Sequence, residues 1–424
     1  MSFAHGRPIP GSEKTMQVAR GATGALLAGA LVVATTVAGA SVADAATAAP
    51  VTWSPPLAGE AAGVTVSGDT ARLSPDRAQV GTARADGHGD AGTPGLLTLP
   101  ARPVDVPVDR VDAVLTLASG TSGASASLDV RGLRPGGGWT EWELAEPSAG
   151  AHTLTAALPV PVVSVQARLV LGPVHDAADP GPVVRNLTLT ARPAARPAVN
   201  AVQEDPKRYR VFATREGLVG GTTANGHVIT KRDLFVALPS RRALAPRNTS
   251  DYTVKVCAPT GRCAFAPVWD VGPWNTRDDY WNPPEKRQEW RDLPRGVPES
   301  QAAKQNGYHG GKDQFGRKVV NPAGIDLADG MFWDALGLKD NAWVEVDYLW
   351  TGDSPLGTVR VDDRVDLHEA PDPKAPVVGL AAEGAAVPLQ CVTGTWLRVG
   401  AGEFLPASAV PAQQWPRHLP GCSG

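Results

Sequence analysis

Asp270 stands where a run of apolar residues meets a Gly-Pro break, in "APVWDVGPWNTRDDYW" (Ala266 to Trp281). Trp269, Trp274, Tyr280 and Trp281 crowd around it, with Asn275 and further acids between them. Aromatic faces stack on the apolar faces of sugar rings, and neighbouring Asp, Asn and Arg side chains hydrogen-bond sugar hydroxyls. The stretch reads either as a dense turn in a small barrel or as the floor of a sugar-binding groove. On the plainer reading, Asp270 is only a strand-end acceptor ahead of Gly272-Pro273.

A second acid, Asp326, lies in "GIDLADGMFWDALGL". The pattern predicts a short helix with Asp326 as N-cap, Asp329 three residues later and Gly337 near its end. Between the two acids, residues 275–323 carry Tyr280, Trp281, Trp290 and Tyr308 among acids, arginines and glycines, with neither helical nor strand periodicity. A loop this long and structureless is usually functional or disordered. Its aromatics either line a groove or pin the loop to the barrel as a satellite core. No G-x-S-x-G, Walker loop, H-E-x-x-H or EF-hand pattern accompanies them.

The elements around these residues are strands. From 51 to 191, short apolar alternations such as "DAVLTLASG" and "VVSVQARLVLG" are separated by turn clusters, as in an antiparallel β-sandwich. Trp139 and Trp142 stand three apart on one strand there, so one should be core and the other surface. "ARPAARPAVNAVQEDP" reads as an extended Pro/Ala linker, 192–206. The 209–350 block holds strands such as "YRVFATRE", "DYTVKVC" and "AWVEVDYLW", and all five tyrosines of the chain. After residue 355, short strands alternate with tight turns, which suits a small barrel stapled by one disulfide.

With 424 residues, 42% hydrophobic and 20% charged, the chain is long enough for two to four folded domains. A net charge of −3 supplies no basic field, which argues against a nucleic-acid partner. Arg7, Lys14 and Arg20 precede "GATGALLAGALVVATTVAGAS", and A-x-A options follow near Ala45 to Ala48. This predicts a cleaved signal peptide over residues 1–46, with Met16 as an alternative start, and no membrane association after its removal. Four cysteines in an exported chain should pair: Cys257 with Cys263 around "APTGR", and Cys391 with Cys422. Their spacing does not suit a metal, and no cofactor is expected.

The 209–350 block resembles the double-psi β-barrel family of expansins and rare lipoprotein A. Four segments carry the resemblance in order: "GTTANGHVI", "VWDVGPW", "GIDLADG" and the closing strand "WVEVDYLW". The C-terminal block is similar to bacterial SH3-like domains in "VDLHEAPDPKAPVVG", "TWLRV" and "GEFLPASAV". The resemblance implies a six-stranded barrel whose open groove binds an extended polysaccharide, with Asp270 and Asp326 on one side of it. Two carboxylates flanking a glycosidic bond can protonate the leaving oxygen and stabilise the oxocarbenium centre. Burial beside Trp269, Trp274 or Trp333 would raise one pKa and make that carboxyl a usable acid. Thr223 falls where the family has a groove hydroxyl. Lytic relatives also carry a histidine that this chain replaces with "FVALPS". His227 is the only histidine of its segment, and His309 is too far along the chain to substitute.

The expected fold class is mostly β. A β-sandwich (51–191) and linker precede a central six-stranded double-psi β-barrel (207–352) with one short helix and a long insertion. A C-terminal small SH3-like barrel (355–424) closes the chain. The catalytic candidates are Asp270 and Asp326. The sugar-binding candidates are Thr223, Trp269, Trp274, Asn275, Tyr280, Trp281 and Trp333. The function expected is an extracellular, wall-associated monomer that binds and loosens wall polysaccharide, peptidoglycan or a similar glycan, without efficient hydrolysis. Cleavage of the glycan by Asp270 and Asp326, as a lytic transglycosylase or glycosidase, is one alternative, and a non-catalytic wall scaffold is another.

Overall fold

The structure, a computed structural model, describes residues 48–75, 94–118, 126–148, 153–172, 181–195 and 205–423. The expected signal peptide and most of the linker lie outside these residues. Among them, no helix is long and apolar enough to cross a membrane.

The chain is mostly β, as its alternating texture requires. The first module is built on two long strands, Arg102–Leu117 and Leu154–Leu171, paired antiparallel with bulges after Ala157. From Ser164 onward Leu154–Leu171 also pairs with Ala126–Leu133, and its end, Arg168 to Leu171, pairs with Gly95–Thr98. One hydrogen-bonded sheet thereby wraps a core that includes Leu97, Val111, Leu128, Leu169 and Leu187. The sheet extends past the expected boundary. Its last strand runs to Pro193, Ala194 is buried, and Arg192 is bonded to Asp112, so the linker starts later than the Pro/Ala composition suggests.

A closed barrel of six strands follows: β1 (Lys207–Arg215), β2 (Val236–Leu238), β3 (Thr253–Cys257), β4 (Cys263–Val271), β5 (Ala323–Leu327) and β6 (Ala342–Tyr348). Their order is β2-β5-β1-β6-β3-β4, and β4 returns to pair with β2. The β1–β5 and β2–β4 pairs are parallel and the other four antiparallel. Ala213, Val236, Leu238, Phe265, Val268, Ile325 and Leu327 fill the barrel core.

The helix expected after "GIDL" is corrected. Asp326 belongs to strand β5, paired on both sides, and only a π-helical turn, Gly330–Ala335, follows it. Sheet pairing with β1 and β2 overrides the local capping signal. Gly337, with φ +65°, does end that turn. The α-helix of the described residues is α1 (Glu299–Asn306), inside the insertion that carried no periodic signal.

The modules are fused rather than strung out. Trp142 of the first module is only 1% exposed and belongs to the barrel's own core cluster, with its Nε1 donating to Leu244 O at 3.2 Å. Trp139 stays half-buried beneath the Arg131 guanidinium. Glu141 accepts from Trp281 Nε1 (2.6 Å), Trp350 Nε1 (2.9 Å) and Asn282 Nδ2 (2.6 Å). The Arg242 guanidinium gathers Glu141, Glu143 and Asp279 around itself. On the other side, Cys263–Phe265 of β4 pairs in parallel with Gly379–Ala381, so the C-terminal strands continue the barrel's sheet. Lys255 of β3 adds an ion pair to Glu403 at 2.6 Å. Both disulfides form as expected, Cys257–Cys263 across the β3–β4 hairpin and Cys391–Cys422 in the C-terminal module.

Candidate functional site

The alternation of strands decides which side chains meet outside the barrel core. Val236 and Leu238 of β2 point inward, so Ala237 between them points out. Ala237 is flanked by Asp326 of β5 and Asp270 of β4, its register partners on the two sides. Asp270 reaches this position through a bulge. Val268 pairs with Val236 and Asp270 with Ala237, so two residues of β4 advance against one of β2. Strict alternation would send Asp270 after Val268 into the core, and the extra residue re-aims it.

The third member is Glu216, one residue past the end of β1. Its backbone N–H continues the parallel ladder to Leu327 O at 2.9 Å. Thr214 and Glu216 share a face by alternation, and the Thr214 hydroxyl donates to Asp326. Glu216 is 5% exposed, and among the described residues neither of its oxygens meets an N–H or O–H donor. What lies within hydrogen-bonding reach is the Asp270 carboxyl. Burial first, then the charges of Asp270, Asp326 and Asp329, push the Glu216 carboxyl well above its usual range. The charged form of Glu216 is thus disfavoured beside Asp270.

Asp270 is held from the other side. Its Oδ1 accepts from Ala224 N (2.7 Å) and Val271 N (2.8 Å). Ala224 sits in a tight turn in which Thr223 Oγ1 donates to Asn225 Oδ1 (2.8 Å) and accepts from His227 N (3.0 Å). Thr223 is thus buried and spent on the turn. Its contribution is to shape the loop that presents Ala224. Gly272 lies over the pair of strands, and a Cβ there would stand 3.7 Å from Asp326 Oδ2. Among the described residues, no group of three His, Cys, Asp or Glu side chains is arranged to hold a metal ion.

The structure brings Asp270 and Asp326 together but disperses the aromatics. Trp274 is buried against Ala303, Val319 and Ala323, with its Nε1 on Asn321. Asn275 bridges Glu299 and the backbone of Gln314. Tyr280 donates to Gly324 O and pairs with the Tyr348 hydroxyl, while Trp281 stacks on Tyr348 at 5.4 Å. These four side chains form the inside of the insertion and have no face open to a sugar. The insertion is ordered by buried acids and their arginines, Asp278 with Arg287, Asp279 with Arg242 and Asp313 with Arg317. Residue hydrophobicity alone does not reveal such a core.

Trp269 is half-buried, stacked on Phe235 and packed on His227 at 4.7 Å. His227 in turn bonds Asp233 at 2.6 Å, and so is engaged away from Asp270. Trp333 is 40% exposed, the most open of the expected sugar-binding rings. Arg215 and Arg232 lie 4.8 and 4.9 Å from its ring centre, each tied to an acid, Asp329 and Asp334. Glu216 was not among the sequence candidates. Its signal was available: it shares parity with Thr214 at the end of the first strand, just before "GGTTANG".

Residues 207–347 match the model of a domain of unknown function (DUF8814). That span runs from the first residue of β1 to the last strand of the barrel and contains Glu216, Asp270 and Asp326. No curated protein matches the chain.

Proposed function

We propose that this chain is an exported protein of the bacterial cell envelope that binds and remodels wall polysaccharide. On this reading the barrel is of the double-psi type seen in expansins and rare lipoprotein A, and the C-terminal module is SH3-like. The two parallel and four antiparallel pairings of the closed barrel support the first assignment.

The observation that carries the chemistry is the Glu216–Asp270 pair. Two carboxyls within hydrogen-bonding reach are too close to flank a sugar ring, because hydrolases with separate acid and nucleophile or base hold them about 5 to 9.5 Å apart. The pair acts as one acid/base centre holding one proton. It protonates the glycosidic oxygen as the C–O bond breaks, then accepts a proton from the hydroxyl that attacks the anomeric carbon. If that hydroxyl is the sugar's own, the product is an anhydro sugar and no water is consumed. The charge of Asp326, anchored by Thr214, adds to the upward push on the Glu216 carboxyl.

A second reading is binding without cleavage. It is favoured by the burial of Glu216 and Asp326, which leaves only Asp270 part-exposed to touch a sugar hydroxyl. Incubation of the mature protein with purified peptidoglycan and with cellulose, followed by mass analysis of soluble products, separates the two. Release of anhydro or reducing sugar that is lost in Asp270→Asn supports cleavage. Co-sedimentation with a polymer without release supports binding alone. Neither release nor co-sedimentation with either polymer overturns the proposal.

A further inference from the structure

We infer that the N-terminal module is a working part of the acid centre: Ala62, Leu96 and Val170 clamp the Thr223–Gly226 turn and so hold the Ala224 N–H on Asp270. This rests on the reading of Glu216–Asp270 as the reactive pair.

Ala62, Leu96 and Val170 come from three neighbouring strands of that module, and they form one buried cluster with Ala224 and Leu244 of the barrel. Val271, the residue after Asp270, packs on the same cluster. The residue that donates to Asp270 and the residue that follows it are thus both seated on side chains of the N-terminal module. Gly226 shows how close the approach is. Its φ is +90°, and a Cβ there would come within 2.5 Å of an Arg247 guanidinium nitrogen and 2.9 Å of the Ala62 Cβ. Arg247 itself is tied to the N-terminal module through its backbone N–H and its side chain, both meeting Glu60. From below, Asn225 Nδ2 donates to Ala245 O at 3.1 Å, next to Leu244. The turn is gripped between the two modules.

An N–H that donates to a carboxylate favours its charged form. Loosening the clamp therefore raises the pH at which the Glu216–Asp270 pair takes up its second proton. The residues of the N-terminal module are positioning residues, acting through Ala224.

The test is a carbon-13 NMR titration of the side-chain carboxyls in the full mature chain, which needs no glycan. Leu96→Ala, or Leu96→Val if the first variant does not fold, should raise the pair's titration midpoint by about half a unit or more. Leu187→Ala, in the N-terminal module's own core, serves as the control for general loosening. Gly226→Ala, which forces the turn off Ala62, should shift the midpoint the same way. If Leu96 and Gly226 variants titrate like the parent, or if Leu187→Ala shifts the midpoint equally, the inference fails. Failure of both glycan release and co-sedimentation would overturn the proposed function and leave this titration result standing.

Discussion

Glu216 meets Asp270 where the end of β1 comes against the bulge of β4, and among the described residues no N–H or O–H group donates to the Glu216 oxygens. A buried carboxyl without a donor is tolerable only if it is itself the donor. A proton held between Glu216 and Asp270 would satisfy both carboxyls, and the proposed chemistry uses that proton.

Glu216→Gln replaces that proton with an amide that can still donate to Asp270 but cannot transfer. The variant should melt at or above the parent temperature near pH 7, while glycan release falls about 100-fold or more. Parallel thermal melts and product yields check this. A variant that cleaves as well as the parent would remove Glu216 from the chemistry.

The strands, the disulfides and both aspartates could be read in the sequence because each leaves a short-range mark: alternation, a Pro/Gly turn between cysteines, an acid before Gly-Pro. The roles of the aromatics could not. Tyr280 and Trp281 were expected at a groove because they stand among acids and glycines. They are buried because those acids find Arg242 and Arg287, so the segment folds as a unit with a charged core. Asp326 shows the same limit, since a residue with N-cap character becomes a strand residue once β1 and β2 pair on either side. The bulge that aims Asp270 depends on the register with β2, which no window along one strand contains.

The insertion has its own pH dependence. Burial, the largest cause, with the nearby charges of Asp278 and Asp313, pushes the Glu299 carboxyl up to about 7 against the opposing Asn275 hydrogen bond and Arg287 charge. The fold therefore holds a proton there that the unfolded chain releases near pH 4.5, and stability from this group is lost as pH rises from 4.5 through 7. Glu299→Gln keeps an acceptor for Asn275 and removes the ionisation. It should stabilise the protein by about 2 kcal/mol at pH 8, with the gain vanishing towards pH 4.5. Melting curves of both proteins across that range decide the matter. Equal stability of the two at every pH would show that Glu299 is not the titrating group.

Arg242 is the point where the first module, the barrel and the insertion lock together, and its loss should be felt in all three. Its guanidinium contacts Glu141, Glu143 and Asp279 and donates to Lys286 O at 2.8 Å. Burial already pushes the Glu143 and Asp279 carboxyls up, and the Arg242 charge opposes that push. Arg242→Met leaves three acids facing one another without a cation, a change that typically costs about 3–5 kcal/mol. Arg242→Lys should fall between, because a single ammonium cannot fork to three carboxylates. The variant should also recover stability as pH falls from 7 to 5, since protonation of the stranded acids relieves their repulsion. Denaturant unfolding at the two pH values measures both effects. A Met variant as stable as the parent at pH 7, or one that gains nothing on acidification, would mean that the apolar contacts of Trp142 hold the modules together without the ion cluster.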